Sequence, residues 1–280
     1  MKPYLKNTLL LLIVGLMAFG TTLAQTEADP HNSYNEWSLQ KIRKEDQMFK
    51  KSLWFRMDLR TKQNYPFFAQ GNEITGLLIK AVKAGLVRPF KNDSLTSRMP
   101  MNEFLDNLRL PGEDEGEGFM AEKFEENDDV WKDDATSTVD QPEEYLPRQL
   151  YVLEIKEELI FDKMRSRMYE DMLAVSIIIP GEQTKIGVDK VIATFSYKEL
   201  VEHVFRDNPD AIWFNAQNSA EHRNLEDAFT LRLWQGTLVK YENPQNGMIV
   251  DMYNGGKAAL IAAEQAVYKL MEYEATLWEY

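Results

Sequence analysis

The apolar positions of residues 37–60 recur at helical spacing, and Lys and Arg are dense on the other positions. The residues that set this spacing are Leu39, Ile42, Phe49, Leu53 and Met57. Apolar side chains spaced in this way lie on one face of a helix, so the pattern predicts an amphipathic helix over residues 37–60. Pro66 ends the pattern, because the residue before a proline disfavours the helical conformation.

Other segments share the helical period or carry helix stop signals: residues 73–83, 101–108, 197–206, 225–239 and 257–278. Gly85 would stop the first of these helices, and Asn208-Pro209 would stop the third. The last segment nearly holds a seven-residue rhythm from Leu260 to Trp278. Such a helix packs on the core or faces a partner, and we favour the core helix.

A different pattern, rich in β-branched and aromatic residues, marks residues 150–161, 172–179 and 188–197. Short links join these three segments, which favours an antiparallel meander over parallel βαβ units. The predicted fold class is therefore α+β. It combines a helical N-terminal part, an antiparallel sheet of about three or more strands, and a helical C-terminal part.

Residues 112–144 differ in composition, with 14 Asp or Glu against two lysines. A segment with this many like charges repels itself and buries little apolar surface. A loop or linker is therefore predicted over residues 112–146. A calcium loop from Asp114 to Glu125 is the alternative. It fits poorly, because glycines fall where side-chain oxygens are needed and Phe119 falls where a glycine is needed.

The N-terminus has the three parts of a secretory signal peptide. Lys2 and Lys6 precede an apolar run of 11 residues from Leu9 to Phe19, and small residues precede a cleavage point after Ala24. The run is shorter than the roughly 20 residues that a membrane span needs, which disfavours an uncleaved anchor. The chain is therefore expected to be exported.

The predicted organisation follows from these segments. It consists of a signal peptide (1–24), a mobile lead-in (25–36), an N-terminal helical region (37–111), an acidic linker (112–146) and an α+β region (147–280). We expect the helical region and the α+β region to form one compact unit.

Composition narrows the possible functions. The chain has 280 residues and no cysteine, which excludes disulfides, thiol nucleophiles, Cys-ligated metals and a lipoprotein anchor. The formal charge is −13, from 32 basic and 45 acidic residues. Loss of Lys2 and Lys6 with the signal peptide would leave 30 basic residues and a charge of −15. Such a balance argues against general binding to nucleic acid.

Catalytic motifs are mostly missing. His31, His203 and His222 show no metal-ligand spacing and are interpreted as structural or exposed residues. No nucleophile elbow, P-loop or dinucleotide fingerprint occurs. Adjacent acids such as Glu157/Glu158 and Glu143/Glu144 are plentiful, but an acidic chain supplies such pairs by chance. We therefore expect no enzyme and no cofactor. Abundant aromatic residues and the basic residues 50–62 favour a protein that assembles with partners.

One segment resembles the N-terminal signature of the GldN/PorN family, gliding-motility and type IX secretion proteins of Bacteroidetes. It runs over residues 51–68 and matches at Trp54, Asp58, Leu59, Arg60, Lys62, Asn64, Pro66, Phe67 and Phe68. Thr61 departs from the acidic residue expected there. Weaker matches occur at residues 76–85, 155–163, 214–227 and 274–280, so the resemblance covers nearly the whole exported chain.

The resemblance implies a structural subunit. Such a subunit would form a periplasmic ring with an outer-membrane lipoprotein (GldK/PorK-like). The ring would couple to the periplasmic arm of the motor (GldM/PorM-like). Membrane attachment would come through the lipoprotein. Our candidates for partner contacts are Arg56, Asp58, Arg60 and Asn64 on the predicted first helix, together with Trp278.

Two alternatives stay open. An exported hydrolase would need two carboxylates from distant elements converging in one pocket, one of them with a raised pKa. A calcium-dependent adhesion module would use the acidic segment.

Overall fold

The computed structural model describes residues 34–110, 144–184, 187–253 and 255–277. The predicted signal peptide, most of the lead-in, His31, nearly all of the acidic segment with its calcium loop, and Trp278 lie outside the described residues.

Within these residues, the strands are β1 (Gln47–Asp58), β2 (Phe68–Ala69), β3 (Asn72–Glu73), β4 (Val152–Asp162), β5 (Arg167–Ile179), β6 (Lys190–Ser196), β7 (Ile212–Trp213), β8 (Arg223–Asn224) and β9 (Thr237–Tyr241). The helices are α1 (Ile74–Lys83), α2 (Met101–Leu108), α3 (Tyr197–Leu200), α4 (Leu225–Thr230), α5 (Ile249–Met252) and α6 (Gly256–Leu277). A π-helical turn, Val201–Phe205, continues α3.

An antiparallel sheet in the order β6-β5-β4-β1-β9 organises the part of the chain that the structure describes. The meander β4-β5-β6 confirms the predicted antiparallel strands, and β1 and β9 extend it to five strands. The helix prediction for residues 101–108 is confirmed with the same bounds, and helices also form at residues 74–83 and 256–277.

The predicted N-terminal helix over residues 37–60 is wrong. Half of this segment is β1, and α1 is the first α-helix of the described residues. Phe49, Leu53 and Met57 are four residues apart, a spacing that also keeps side chains on one face of a strand. Phe55 and Leu59 place a buried apolar residue at every second position from Leu53 to Leu59, which a helix would not bury on one side.

The helix predicted over residues 225–239 is also corrected. Asn224 caps α4 by accepting a hydrogen bond from the Glu226 amide, but the helix ends at Thr230. Arg232 then adopts a left-handed backbone conformation with φ of 50°, which no regular helix contains. The chain turns there and returns as β9 beside β1.

The main core lies on one face of the sheet, where the alternate side chains of β1, β4 and β5 meet α1 to α6. Fully buried members include Met57, Leu59, Phe67, Phe195 and Phe229. The other face is covered by residues near Phe90 and Leu95, and Phe90 also bonds to Thr194 on the edge strand β6. This cover protects that edge from pairing with other chains.

Candidate functional site

The turn after β1 brings four of the five predicted contact residues to one groove. Arg56 and Asp58 end β1, and Arg60 and Asn64 lie in the turn that follows. The groove has a volume of about 470 Å³. Thr61 of the same turn also lines the groove. Its remaining walls come from the ends of β4, β5 and β9 and the residues next to them: Tyr151, Val152, Pro180, Glu182, Gln235, Gly236, Thr237 and Val239. We call it the Arg60 groove.

Arg60 presents the most exposed cation of the groove, with 57% of its side chain accessible. Its guanidinium donates to Asp58 through Nε (3.2 Å) and Nη2 (2.9 Å), and its backbone N–H donates to the same carboxylate at 2.8 Å. The guanidinium carbon lies 3.5 Å from the centre of the Tyr151 ring. Arg60 is therefore held in place by stacking and hydrogen bonds, yet still faces solvent.

Asp58 is the acidic partner that fixes this geometry. Partial burial alone would raise its pKa, but hydrogen bonds from the side chain and backbone of Arg60 outweigh that effect and lower the pKa. The Asp58 carbonyl also accepts a bond from the Thr61 hydroxyl at 2.9 Å. The carboxylate therefore stays charged and keeps the turn closed around Arg60.

Asn64 is a buried clamp, because only 1% of the residue is exposed. Its Nδ2 donates to the carbonyls of Asp58 (2.9 Å) and Gln235 (2.8 Å), and its Oδ1 accepts from the Gln235 N–H at 2.8 Å. These bonds join the turn after β1 to the segment that leads into β9. Asn64 shapes the groove but offers a partner no accessible polar atom.

Arg56 is the second cation, and it is already neutralised within the chain. Its Nη1 lies 2.7 Å from Asp189, and its Nη2 lies 3.6 Å from Glu154. Burial raises the pKa of Glu154, against the lowering effect of Arg56. Removing Arg56 would leave Glu154 as a largely buried and unpaired acid. This role makes Arg56 a support of the groove more than a free contact.

Gly236 lines the groove directly before β9 begins, and it lies close to the backbone of β1. A Cβ atom there would lie 2.8 Å from the Trp234 ring, 3.1 Å from the Phe55 Cβ and 3.2 Å from the Arg56 carbonyl oxygen. Only glycine fits this approach without a shift of its neighbours. Phe55 and Trp234 themselves meet edge to face, with ring centres 5.8 Å apart.

A separate acidic cluster forms where Arg232 meets β4 and β5. Its Nη1 is 3.0 Å from Glu157 and 2.5 Å from Glu170. Glu157 is 2% exposed, and burial raises the pKa of its carboxyl to about 7, although Arg232 acts to lower it. Burial also raises the pKa of the nearby Asp171 to about 6.

This cluster is the closest match to the paired acids of the hydrolase alternative. Glu157 and Glu170, however, come from neighbouring strands and share one guanidinium nitrogen. The adjoining cavity measures about 90 Å³, whereas ligand pockets usually hold roughly 300–1,000 Å³. The arrangement fits a structural ion-pair network better than a hydrolase site. Among the described residues, no group of three or more metal-binding side chains could hold a metal ion.

The described histidines stand apart from this chemistry. His203 and His222 are both exposed, as the sequence predicted. The His222 ring lies 4.7 Å from that of Phe214, and its Nδ1 accepts a hydrogen bond from the Asn215 N–H at 3.1 Å. Trp278, the fifth predicted contact, lies outside the described residues.

Sequence reasoning missed several residues that build the groove. Tyr151, Gln235 and Gly236 reach Arg60 and Asn64 only through the pairing of β1 with β4 and β9. The sequence Trp234-Gln235-Gly236 was a possible signal that two segments of backbone approach closely, because glycine in or beside a strand often marks such an approach.

Comparison with known families decides the identity of the chain. The model of a family described as "Gliding motility associated protein GldN" matches residues 42–279. The chain belongs to the GldN family. It is thus a component of gliding motility and type IX secretion. No curated protein matches the chain as a relative.

The GldN signature segment now has a structural explanation. The Trp54 Nε1–H donates to Asp93 at 2.8 Å, Leu59 and Phe67 are fully buried, and Asn64 clamps the turn. Arg60 is the signature residue that combines a fixed position with an exposed charge. We therefore regard Arg60 as the centre of the candidate site, and its role as a partner contact stays a prediction.

Proposed function

We propose that this GldN protein is a structural subunit that joins a periplasmic ring with a GldK/PorK-like lipoprotein of the outer membrane. The ring would couple that lipoprotein to the periplasmic arm of a GldM/PorM-like motor protein. Family membership supports a role in the gliding and type IX secretion machinery. The sequence features of a signal peptide without a lipid-bearing cysteine support the periplasmic location. No helix of the described residues is long and apolar enough to cross a bilayer.

The observation that carries the contact proposal is the fixed and exposed Arg60. A guanidinium held by Asp58 and stacked on Tyr151 loses little side-chain freedom when a partner binds. Arginine is also favoured at the centre of protein interfaces, where it pairs with carboxylates through two parallel bonds. The groove beside it offers about 470 Å³ for a partner segment. We infer that the lipoprotein inserts an acidic or polar segment here.

Co-expression with the lipoprotein tests the ring proposal. The purified complex is expected to have a native mass many times that of one pair, measured by light scattering on a size-exclusion column. A strictly 1:1 pair over a wide concentration range would contradict the ring. A failure of the two proteins to associate would contradict the partner itself.

A further inference from the structure

A second concavity forms where β9 ends and β1 continues alone. β9 pairs with β1 only from Leu53 to Arg56, whereas β1 begins at Gln47. Helix α6 packs beside this gap through small residues, among them Ala262, and leaves a cavity of about 310 Å³. We call this cavity the α6 pocket, and it lies apart from the Arg60 groove because the two share no lining residue.

Aromatic rings line much of the α6 pocket. Phe49 of β1 and Tyr273 of α6 meet with ring centres 4.8 Å apart, and Tyr241 and Tyr253 complete the lining. Tyr253 and Tyr273 are 48% and 43% exposed. Half-exposed aromatic rings offer a large contact area at low entropic cost, together with hydroxyl groups for hydrogen bonds.

The charge of the α6 pocket is opposite to that of the whole chain. Among the described residues, Lys51 and Lys269 line it, and no Asp or Glu does. Neither lysine forms an ion pair with another described residue, whereas the chain carries a net charge of −13. The Lys51 ammonium lies 5.0 Å from the centre of the Tyr241 ring. Two unpaired cations in an acidic protein create a local preference for a negatively charged group.

The adjacent edge of β1 suits an extended peptide. The Ser52 carbonyl accepts a bond from the Glu242 N–H at 2.9 Å, and the Ser52 N–H donates to the Glu242 carboxylate at 3.3 Å. Backbone groups alternate in direction along a strand, so the N–H and C=O of Lys50 point to the same side of β1 as those of Ser52. Lys50 lies past the last residue of β1 that pairs with β9. An extended chain can bond to such an edge while its side chains enter a neighbouring pocket.

We propose that the α6 pocket binds an acidic peptide segment that carries an aromatic or aliphatic anchor side chain. The anchor fills the space between Phe49, Tyr253 and Tyr273, and carboxylates on either side of it bind Lys51 and Lys269. This site goes beyond the proposed function, because it gives the subunit a second contact that does not involve Arg60.

Two blocked hexapeptides test the proposal by calorimetric titration of the exported full-length chain. The first has a central phenylalanine flanked by glutamates, and the second has glutamines in place of the glutamates. The glutamate peptide is expected to bind about tenfold more tightly, a difference of about 1.4 kcal/mol. The double substitution Lys51→Gln/Lys269→Gln should abolish that difference. The matched control Lys163→Gln/Lys190→Gln removes two exposed lysines elsewhere and should preserve it.

A second variant, Tyr273→Ser, tests the aromatic part and should weaken both peptides. Equal affinity for the two peptides, no measurable binding of either one, or full binding by the Lys51→Gln/Lys269→Gln variant would overturn the proposal. So would a dimer of the free chain that Tyr273→Ser dissociates, because a second copy would then occupy the pocket. None of these results depends on the lipoprotein, so they leave the proposed function standing.

Discussion

Asn64 and Gln235 exchange two hydrogen bonds of 2.8 Å across 171 positions of the chain. The side chain of Asn64 thereby bonds to the N–H and C=O of Gln235 as the backbone of a neighbouring strand would. This contact closes the turn after β1 onto the start of β9, and both residues line the groove in which Arg60 lies. The shape of the candidate site therefore depends on a residue that a partner cannot reach.

The substitution Asn64→Ala should destabilise the protein by about 1–3 kcal/mol, because it removes three partly buried hydrogen bonds to the backbone of Gln235 and Asp58. Urea unfolding measures the change. Asn102→Ala, an exposed site on α2, is the control and should change stability by less than about 0.5 kcal/mol. Similar stability of both variants would contradict the clamp.

Gly236→Ala should destabilise the protein by about 1–3 kcal/mol, since the new methyl group meets the Trp234 ring and the backbone of β1. Gly247→Ala is a matched control, because its nearest neighbour is the Met252 Cγ at 3.8 Å, an ordinary contact. Thermal unfolding compares the two variants. A tolerated Gly236→Ala would show that β9 does not need this close approach.

Trp54→Phe should cost about 1 kcal/mol, because it removes the hydrogen bond from the indole to Asp93. The ring is also approached by the ammonium groups of Lys156 and Lys240, at 5.2 and 4.6 Å from its centre. Asp93→Asn keeps an acceptor for the indole but removes the negative charge. It therefore separates the effect of the hydrogen bond on stability from the effect of the charge. Equal stability of Trp54→Phe and wild type in chemical denaturation would exclude a stabilising indole bond.

The buried Glu157 predicts a pH dependence with a defined sign. Its pKa is raised from 4.5 to about 7 in the fold, mainly by burial, so the folded state holds a proton that the unfolded state releases. The contribution of Glu157 to stability is therefore present below pH 4.5 and falls as the pH rises towards 7. Glu157→Gln should flatten the stability profile in this window, measured by urea unfolding from pH 5 to 8.

Asp171 adds a pH dependence of stability with the same sign between pH 3.8 and about 6, because burial raises its pKa to about 6. This dependence remains in the Glu157→Gln variant. Glu103→Gln, at a partly exposed helix position paired with Lys91, is the control and should keep the wild-type slope. A Glu157→Gln profile as steep as that of wild type would contradict the assignment.

The strands β4, β5 and β6 and the helix α2 could be predicted from sequence because their period and end signals are local. The strand β1 could not, because residues four apart, such as Leu53 and Met57, share a face in both helix and strand. Phe55, which lies between them, and Leu59, which follows Met57, were the deciding signal. The end of α4 was also missed, since Arg232 turns the chain towards Glu157, 75 positions away.

The candidate site shows the same limit. Arg56, Asp58 and Arg60 are brought together by local sequence, so a motif could point to them. Tyr151, Glu182 and Gly236 join them only through strand pairing over long distances along the chain. A prediction from local pattern could therefore name the charged residues but not the groove that surrounds them.

The most direct test of the central claim measures how tightly this chain binds the soluble part of its lipoprotein partner when Arg60 is reversed in charge. Arg60→Glu should weaken binding at least about tenfold in calorimetry, with the fold retained by circular dichroism. The control Arg109→Glu reverses an arginine of similar exposure, 51% against 57%, on α2's C-terminal side and should bind like wild type. Unchanged affinity of Arg60→Glu would contradict the claim that the Arg60 groove receives the lipoprotein.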